Sequence, residues 1–260
     1  MRKIEKELTD IPKSLDPDTD EGKLTHKRRK ELIAKGEYID NQKYNSRYKT
    51  HDIKDKLNNL YHYKCAYCED HAEQTHVDHY RPKKDYYWLA YSWDNLISSC
   101  PKCNQFKTDD FALEGKKAVP PKKSDDLSNI NILSSQEYDR EEKPMLLNPE
   151  RDRLDDVFLF DVEGHIKGNN NSRADYTIST CHLDRKELVD GRRKLIDDYR
   201  NAIEAELINA STIAEQKTAI EVLTRDFQRK AKDVTNTFIA YRNAALEWLD
   251  EIVKSVILKS

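Results

Sequence analysis

Two cysteine pairs of identical spacing, Cys65 with Cys68 and Cys100 with Cys103, bracket the stretch CAYCEDHAEQTHVDHYRPKKDYYWLAYSWDNLISSCPKCNQFK from Cys65 to Lys107. They constrain the fold more than any other feature of the chain. Each CxxC turn offers two soft sulfur ligands, and four thiolates complete the tetrahedral shell that zinc prefers. One ion shared by both turns ties together the ends of the segment between them and limits where its side chains can go. A shell closed by Cys65, Cys68, Cys100 and Cys103 leaves no position for water, so this Zn²⁺ is read as a structural staple and not as a hydrolytic ion. Between the pairs stands VDH, ending at His79. A carboxylate beside an imidazole suits a hard metal and proton transfer.

The chain has five cysteines. Short CxxC spacing, and an amino terminus (MRKIEKELTD) without the apolar core of a signal peptide, favour zinc over disulfides and imply a cytoplasmic location. Cys181 is the odd residue and is read as a buried thiol. No run is long and apolar enough to cross a membrane. The formal net charge of -3 neither requires nor excludes nucleic acid, because binding depends on where charge is displayed. Between Glu21 and Tyr61 there are eleven Lys/Arg against six Asp/Glu, whereas from Cys65 to Lys107 the count is five against six. The cysteine-bounded stretch alone is not a basic clamp; its upstream neighbour or a partner would have to help hold phosphate.

Pro12 and Pro17 mark an N-terminal arm. A basic helix is expected over Leu24 to Lys35, stopped by Gly36, with the KRRK run at Lys27–Lys30 read as a solvated face before a phosphate contact. Ile53, Leu57, Leu60 and Tyr61 recur at helical spacing. Tyr61 and Tyr63, like Tyr86, Tyr87, Trp88, Tyr91 and Trp93, are read as packing in preference to base stacking. Val157–Asp161 and His165–Lys167 flank Glu163 and Gly164 as a small hairpin. From Asp184 onward, apolar residues every three or four positions predict about three helices, with breaks near Asn209–Thr212 and Asp233–Asn236. Gly191 weakens one of them without ending it.

The ordered set CAYCE, VDHYRPK, WDNL and SCPKCNQFK, between Lys64 and Lys107, resembles the HNH endonuclease superfamily, specifically the HNH proteins of Septu-type and retron-associated anti-phage defence systems. Weaker similarity continues into LLNPERD from Leu146 and TISTCHLDRKEL from Thr177. The resemblance implies a beta-beta-alpha-metal nuclease finger and metal-dependent hydrolysis of phosphodiester bonds in nucleic acid, with DNA as the expected substrate and RNA as the alternative. It also implies a partner ATPase; this chain has no Walker-type glycine-rich loop of its own.

Carried onto this sequence, the resemblance makes Asp78 and Asn104 oxygen ligands of one catalytic Mg²⁺ or Mn²⁺ and His79 the general base. Asn95 holds His79 or its loop. Asp78 stands where many relatives have Glu, which shortens the carboxylate's reach. Arg81 and Lys107 are candidate phosphate contacts. His71 and His76 are left outside the site, since four cysteines already satisfy the structural ion. A reading of a different class is a catalytically inactive, zinc-stabilised nucleic-acid or protein adaptor, which would need the cysteines but not the set Asp78, His79, Asn95 and Asn104.

The expected architecture is α+β: a nuclease finger with a structural Cys₄ zinc, embedded in a mainly helical protein. Its regions are an N-terminal arm and helical lead-in (1–63), the HNH core with the zinc site (64–110), a mixed connector with a small hairpin (111–183) and a helical C-terminal region (184–260). The C-terminal helices either complete the core or dock a partner, and the oligomeric state stays open.

Overall fold

The first helix of the computed structural model, which describes residues 1–258, starts four residues before its apolar pattern does: α1 spans Asp20–Lys35. Thr19 caps it by accepting the N–H of Gly22, and Asp20 and Glu21 lie in the first turn, where negative charge meets the positive end of the helix dipole. It stops at Gly36, whose left-handed conformation (φ 81°) lets its N–H return to the carbonyl of Leu32. Successive helical residues turn by about 100°, so KRRK does not form a single patch. Lys27 and Lys30 face solvent, Arg28 pairs with Glu31, and Arg29 is buried with its guanidinium on the carbonyl of Tyr91.

After the single-turn helix α2 (Gln42–Asn45), α3 (His51–Tyr61) buries Ile53, Leu57 and Tyr61, with Leu60 packed partly against them. The stripe ends there. His62 and Tyr63 both take left-handed backbone conformations, and Tyr63 is 52% exposed, so it is not the packing residue that the sequence predicts. The aromatic run beyond the finger's first strand behaves as expected: Tyr86, Tyr87, Trp88, Tyr91 and Trp93 are all buried.

The finger is the hairpin of β1 (His76–His79) and β2 (Leu96–Ser99), followed by α4 (Pro101–Lys107). The strands are antiparallel, with Asp78 opposite Ile97 and His79 opposite Leu96. Cys100 is the N-cap of α4, its sulfur accepting the N–H of Cys103, and Pro101 occupies the first turn, where its missing N–H costs nothing. The connector contains the short helix α5 (Asp139–Glu142) and the antiparallel pair β3 (Phe158–Phe160) and β4 (Ile166–Gly168).

The remaining helices are α6 (Ser172–Thr180), α7 (Lys186–Asn209), α8 (Ile213–Lys232), α9 (Ile239–Ala245) and α10 (Leu249–Ile257). The break after Asn209 is set by a capping box, in which Thr212 and Glu215 satisfy each other's backbone N–H groups. Gly191 sits inside α7, where a Cβ would lie 3.2 Å from the ring of Phe238. Its value is close packing, which outweighs its poor helix propensity.

Buried apolar side chains from Met1 to Val256 form one continuous core. The loop between α8 and α9 is fastened to the finger: the ammonium of Lys64 is bonded to the carbonyls of Val234 and Asn236, and the N–H groups of Phe238 and Ala240 reach the carbonyl and carboxylate of Glu69. The architecture is thus α+β, a small two-stranded finger set in helices. Among the described residues, no helix is long and apolar enough to cross a membrane.

Candidate active site

The four cysteine sulfurs converge although the pairs lie far apart in sequence. The N–H of Ala66 donates to the carbonyl of Ser98, which docks the first CxxC turn against β2, while the capped start of α4 presents the second. A tetrahedral ion with Zn–S bonds of about 2.3 Å requires sulfurs about 3.8 Å apart. The sulfurs of Cys68 and Cys100 are 3.9 Å apart, and those of Cys65, Cys68, Cys100 and Cys103 all lie within 4.8 Å of one another. This donor set fits a soft-ligand metal ion.

Arg185, at the N-terminus of α7, places its guanidinium 3.5 Å from the sulfur of Cys103 and 4.0 Å from that of Cys100. A positive charge there offsets the excess negative charge that four thiolates carry around a divalent ion. Hydrogen bonds from Cys103, Cys65 and Cys68 hold the Cys100 thiol far below its ordinary range. Cys181 is buried beside this site but outside its sulfur set, and burial pushes its thiol up.

Asp78 and His79 end β1 in the interior. The His79 Nε2 is 2.9 Å from the carbonyl oxygen of Ala90. A carbonyl only accepts, so Nε2 carries the proton and Nδ1 keeps the lone pair. The ring is braced edge-on by Tyr48, 4.5 Å between centroids. Burial lowers the His79 pKa to about 3, with Lys83, Lys107 and Lys49 adding to the effect against the favourable Ala90 bond. The imidazole is therefore neutral at physiological pH.

The Asp78 carboxylate accepts from the hydroxyl of Tyr67 at 3.1 Å and from the His79 N–H at 2.8 Å. Burial raises its pKa, and Lys107 opposes that shift from 3.7 Å. Lys107 is itself buried and donates to the carbonyl of His79 at 2.8 Å. Its ammonium braces the end of β1, which overturns its reading as a free phosphate contact.

Asn95 lies at the other end of the same loop. Its Oδ1 accepts the N–H of Arg81 at 2.8 Å, and its Nδ2 donates to the carbonyls of Arg81 and Leu89 at 3.1 and 3.3 Å. One amide side chain thereby clamps the exit of β1 to the turn carrying the Ala90 carbonyl, the acceptor that orients His79. Asn104 stands on α4, with its Nδ2 3.2 Å from Nδ1 of His76. A hydrogen bond given to His76 leaves the Asn104 Oδ1 without a hydrogen-bond partner among the described residues. His76 shares a face of β1 with Asp78, two residues on; nothing in the spacing of the sequence points to its contact with Asn104. His71 pairs with Lys64 through a backbone bridge and does not join the four clustered cysteines.

Arg81 is corrected more sharply. Its side chain is fully buried, donating to Glu142 at 2.7 Å, to Asp139 at 2.8 Å and to the hydroxyl of Ser134. Glu142 in turn accepts from Tyr86 and from the N–H of Ala118. The guanidinium is a structural bolt between the finger and the connector, and no phosphate reaches it. Glu142→Ala removes the fully buried partner and leaves Arg81 only the partly exposed Asp139 as a carboxylate, so it should destabilise the protein by about 3 kcal/mol. Denaturant unfolding measures this; unchanged stability would mean that Asp139 and Ser134 suffice to hold the Arg81 guanidinium.

The donor types at Asp78 and Asn104, one carboxylate and one amide oxygen, suit a hard divalent ion that keeps most of its shell for water and phosphate. Arg185, Tyr48, Tyr67 and the Ala90 carbonyl leave no trace in the sequence, because each acts through a contact that only the folded chain makes.

Residues 65–110 match the family model described as HNH endonuclease. Over 224 residues the chain is 27% identical to Septu protein PtuB of Bacillus mycoides (strain KBAB4), covering 77% of this chain and 69% of that one. It is also 32% identical over 73 residues to Septu protein PtuB of Bacillus thuringiensis, covering 26% of this chain and 24% of that protein. Septu protein PtuA of Bacillus mycoides (strain KBAB4) is 26% identical over 153 residues, which cover 53% of this chain but 20% of PtuA. The hairpin, the helix and the cysteine cluster thus form the finger of an HNH endonuclease domain. The chain that carries it is a PtuB-like HNH protein.

Proposed function

We propose that this protein is a metal-dependent HNH endonuclease that cleaves DNA, acting as the nuclease effector of an anti-phage defence system together with a PtuA-like ATPase. The observation that carries this reading is the bond from His79 Nε2 to the Ala90 carbonyl. It leaves Nδ1 as a fixed, neutral proton acceptor.

In this reading Nδ1 of His79 takes the proton of the water that attacks phosphorus. Asn95 keeps the ring aimed by tying the exit of β1 to the turn that carries the Ala90 carbonyl. Asp78 and Asn104 hold Mg²⁺ or Mn²⁺, which when bound stabilises charge on the phosphate and the leaving oxygen. Zn²⁺ fills the Cys65, Cys68, Cys100 and Cys103 cluster and holds the base of α4, and hence Asn104, against the hairpin. The ATPase partner rests on the family resemblance; likeness of sequence to a PtuA segment does not itself indicate assembly.

The test is cleavage of single-stranded DNA, double-stranded DNA and RNA by the zinc-loaded chain with Mg²⁺, Mn²⁺ or EDTA, with and without the ATPase. Metal-dependent DNA cleavage abolished by EDTA supports the proposal. Cleavage of RNA alone reassigns the substrate, and binding without cleavage in every arm favours an adaptor.

A further inference from the structure

A cleft of about 600 Å³ opens beside Asn104, and Tyr48, Lys49, Lys54, Tyr63, Gln74 and His76 are among its lining residues. Asn104 lines the cleft, and so does Tyr48, whose ring braces His79, so the cleft borders the proposed catalytic residues. Lys49 and Lys54 are exposed and have no carboxylate within ion-pair distance among the described residues. Their neighbours differ in this: Lys43 is committed to Glu31 and Lys56 to Asp10. Glu73 is the cleft's acidic residue.

Tyr63 is the unusual member of this set. Its ring is exposed, while its backbone is tied on both sides: its N–H donates to the carbonyl of Asn58 at 2.9 Å and its carbonyl accepts the N–H of Ala72 at 3.1 Å. It follows His62, and the two hold φ values of 56° and 52°, a region that residues with side chains avoid. These left-handed residues form the C-terminal turn of α3, with His62 as its C-cap, and the turn leaves the Tyr63 ring exposed where it lines the cleft.

We infer that this cleft receives a nucleic-acid strand carrying an unpaired nucleotide, whose base stacks on Tyr63 while Lys49 and Lys54 hold the flanking phosphates. An aromatic face stacks most readily on a base freed from its pair, because a paired base is already covered on both faces by its neighbours, and lysines without carboxylate partners are available to the backbone. The inference rests on the nuclease reading and adds a substrate feature to it: single-stranded, bulged or flipped nucleotides are preferred over uninterrupted duplex.

The experiment measures binding in the intact, zinc-loaded His79→Ala chain, so that cleavage does not intervene. Fluorescent oligonucleotides of one sequence are used as single-stranded DNA, single-stranded RNA, DNA duplex, and DNA duplex with one bulged nucleotide. Tyr63→Ala should weaken the single-stranded and bulged arms by about 5- to 150-fold, the range that one base–aromatic stack supplies, and leave the duplex arm unchanged. Tyr63→Phe should restore binding to within about twofold, since its ring keeps the stacking face. Lys54→Gln should reduce the slope of log affinity against log salt by about 1 in every arm.

Equal losses on duplex and single strand, failure of Tyr63→Phe to restore binding, or no measurable binding in any arm would overturn the inference. If Tyr63 proves irrelevant while the unsubstituted chain still cleaves DNA, the stacking is wrong and the nuclease reading stands. Cleavage by the His79→Ala chain would instead remove the base assignment, and the binding comparison would then be made with Mg²⁺ and Mn²⁺ withheld.

Discussion

Replacing His79 with Ala should reduce nucleic-acid cleavage by about 10²- to 10⁴-fold, the usual contribution of a positioned general base, while the protein keeps its zinc. The Cys₄ cluster is assembled from other elements, so metal content separates loss of a base from loss of the fold. The imidazole is buried, and its removal also strands the Ala90 carbonyl. Rates should therefore be compared at a temperature where the variant remains folded. A His79→Ala protein that cleaves at the original rate, with the same products, would refute the base role.

The same residue makes a pH prediction. Burial sets its folded pKa near 3, below the roughly 6.5 of an unfolded histidine, so the neutral form is the one the fold favours. The unfolded chain gains the proton first as pH falls. The stability associated with neutral His79 is thus complete above pH of about 6.5 and is lost progressively toward pH 3. The melting-temperature advantage of the native protein over His79→Ala should be smaller at pH 5 than at pH 7. Cleavage should show no acid limb near 6.5 attributable to this imidazole, because its lone pair is already free there. An advantage that grows on acidification would show that His79 is charged in the folded protein.

Features that depend on local spacing are legible in the sequence. The two CxxC turns, the hairpin around Gly164, the stop at Gly36 and the helix breaks after Asn209 and Lys232 all follow from patterns spanning a few residues. Features that depend on partners distant in sequence are not. Arg81 sits in the basic run YRPKK, which looks the same whether its arginine is solvated or paired; Glu142 and Asp139, its partners, come from the connector. Lys107 follows the same logic, since a lysine at the end of a helix gives no sign that it turns inward to the carbonyl of His79.

Tyr63 fails in the opposite direction. The apolar stripe of α3 invites its inclusion in the core, but two left-handed residues reset the phase just past Tyr61 and turn its ring outward. His76 looks dispensable in the sequence because the cysteines saturate one metal. It is nevertheless a direct neighbour of Asn104, through a contact between strand and helix that spacing along the chain does not encode.

Cys103→Ala should lower zinc content below one ion per chain and reduce the melting temperature by on the order of 10 °C. Cys103 is fully buried at the start of α4, and its sulfur is one of the four that converge. Without it the remaining ligands cannot close the tetrahedral shell, and the restraint joining the turn at Cys65–Cys68 to the turn at Cys100–Cys103 is released. Arg185, placed to offset thiolate charge, then loses its nearer sulfur contact. Because α4 also presents Asn104, cleavage should fall together with stability, unlike the His79→Ala protein, in which activity falls and zinc remains. Cys181→Ala is the control: its thiol is equally buried but lies outside the cluster, so it should leave zinc content unchanged. If Cys103→Ala retained a full zinc complement, the four sulfurs would not be the ion's ligands, and the link from the cysteine turns to the position of Asn104 would have to be abandoned.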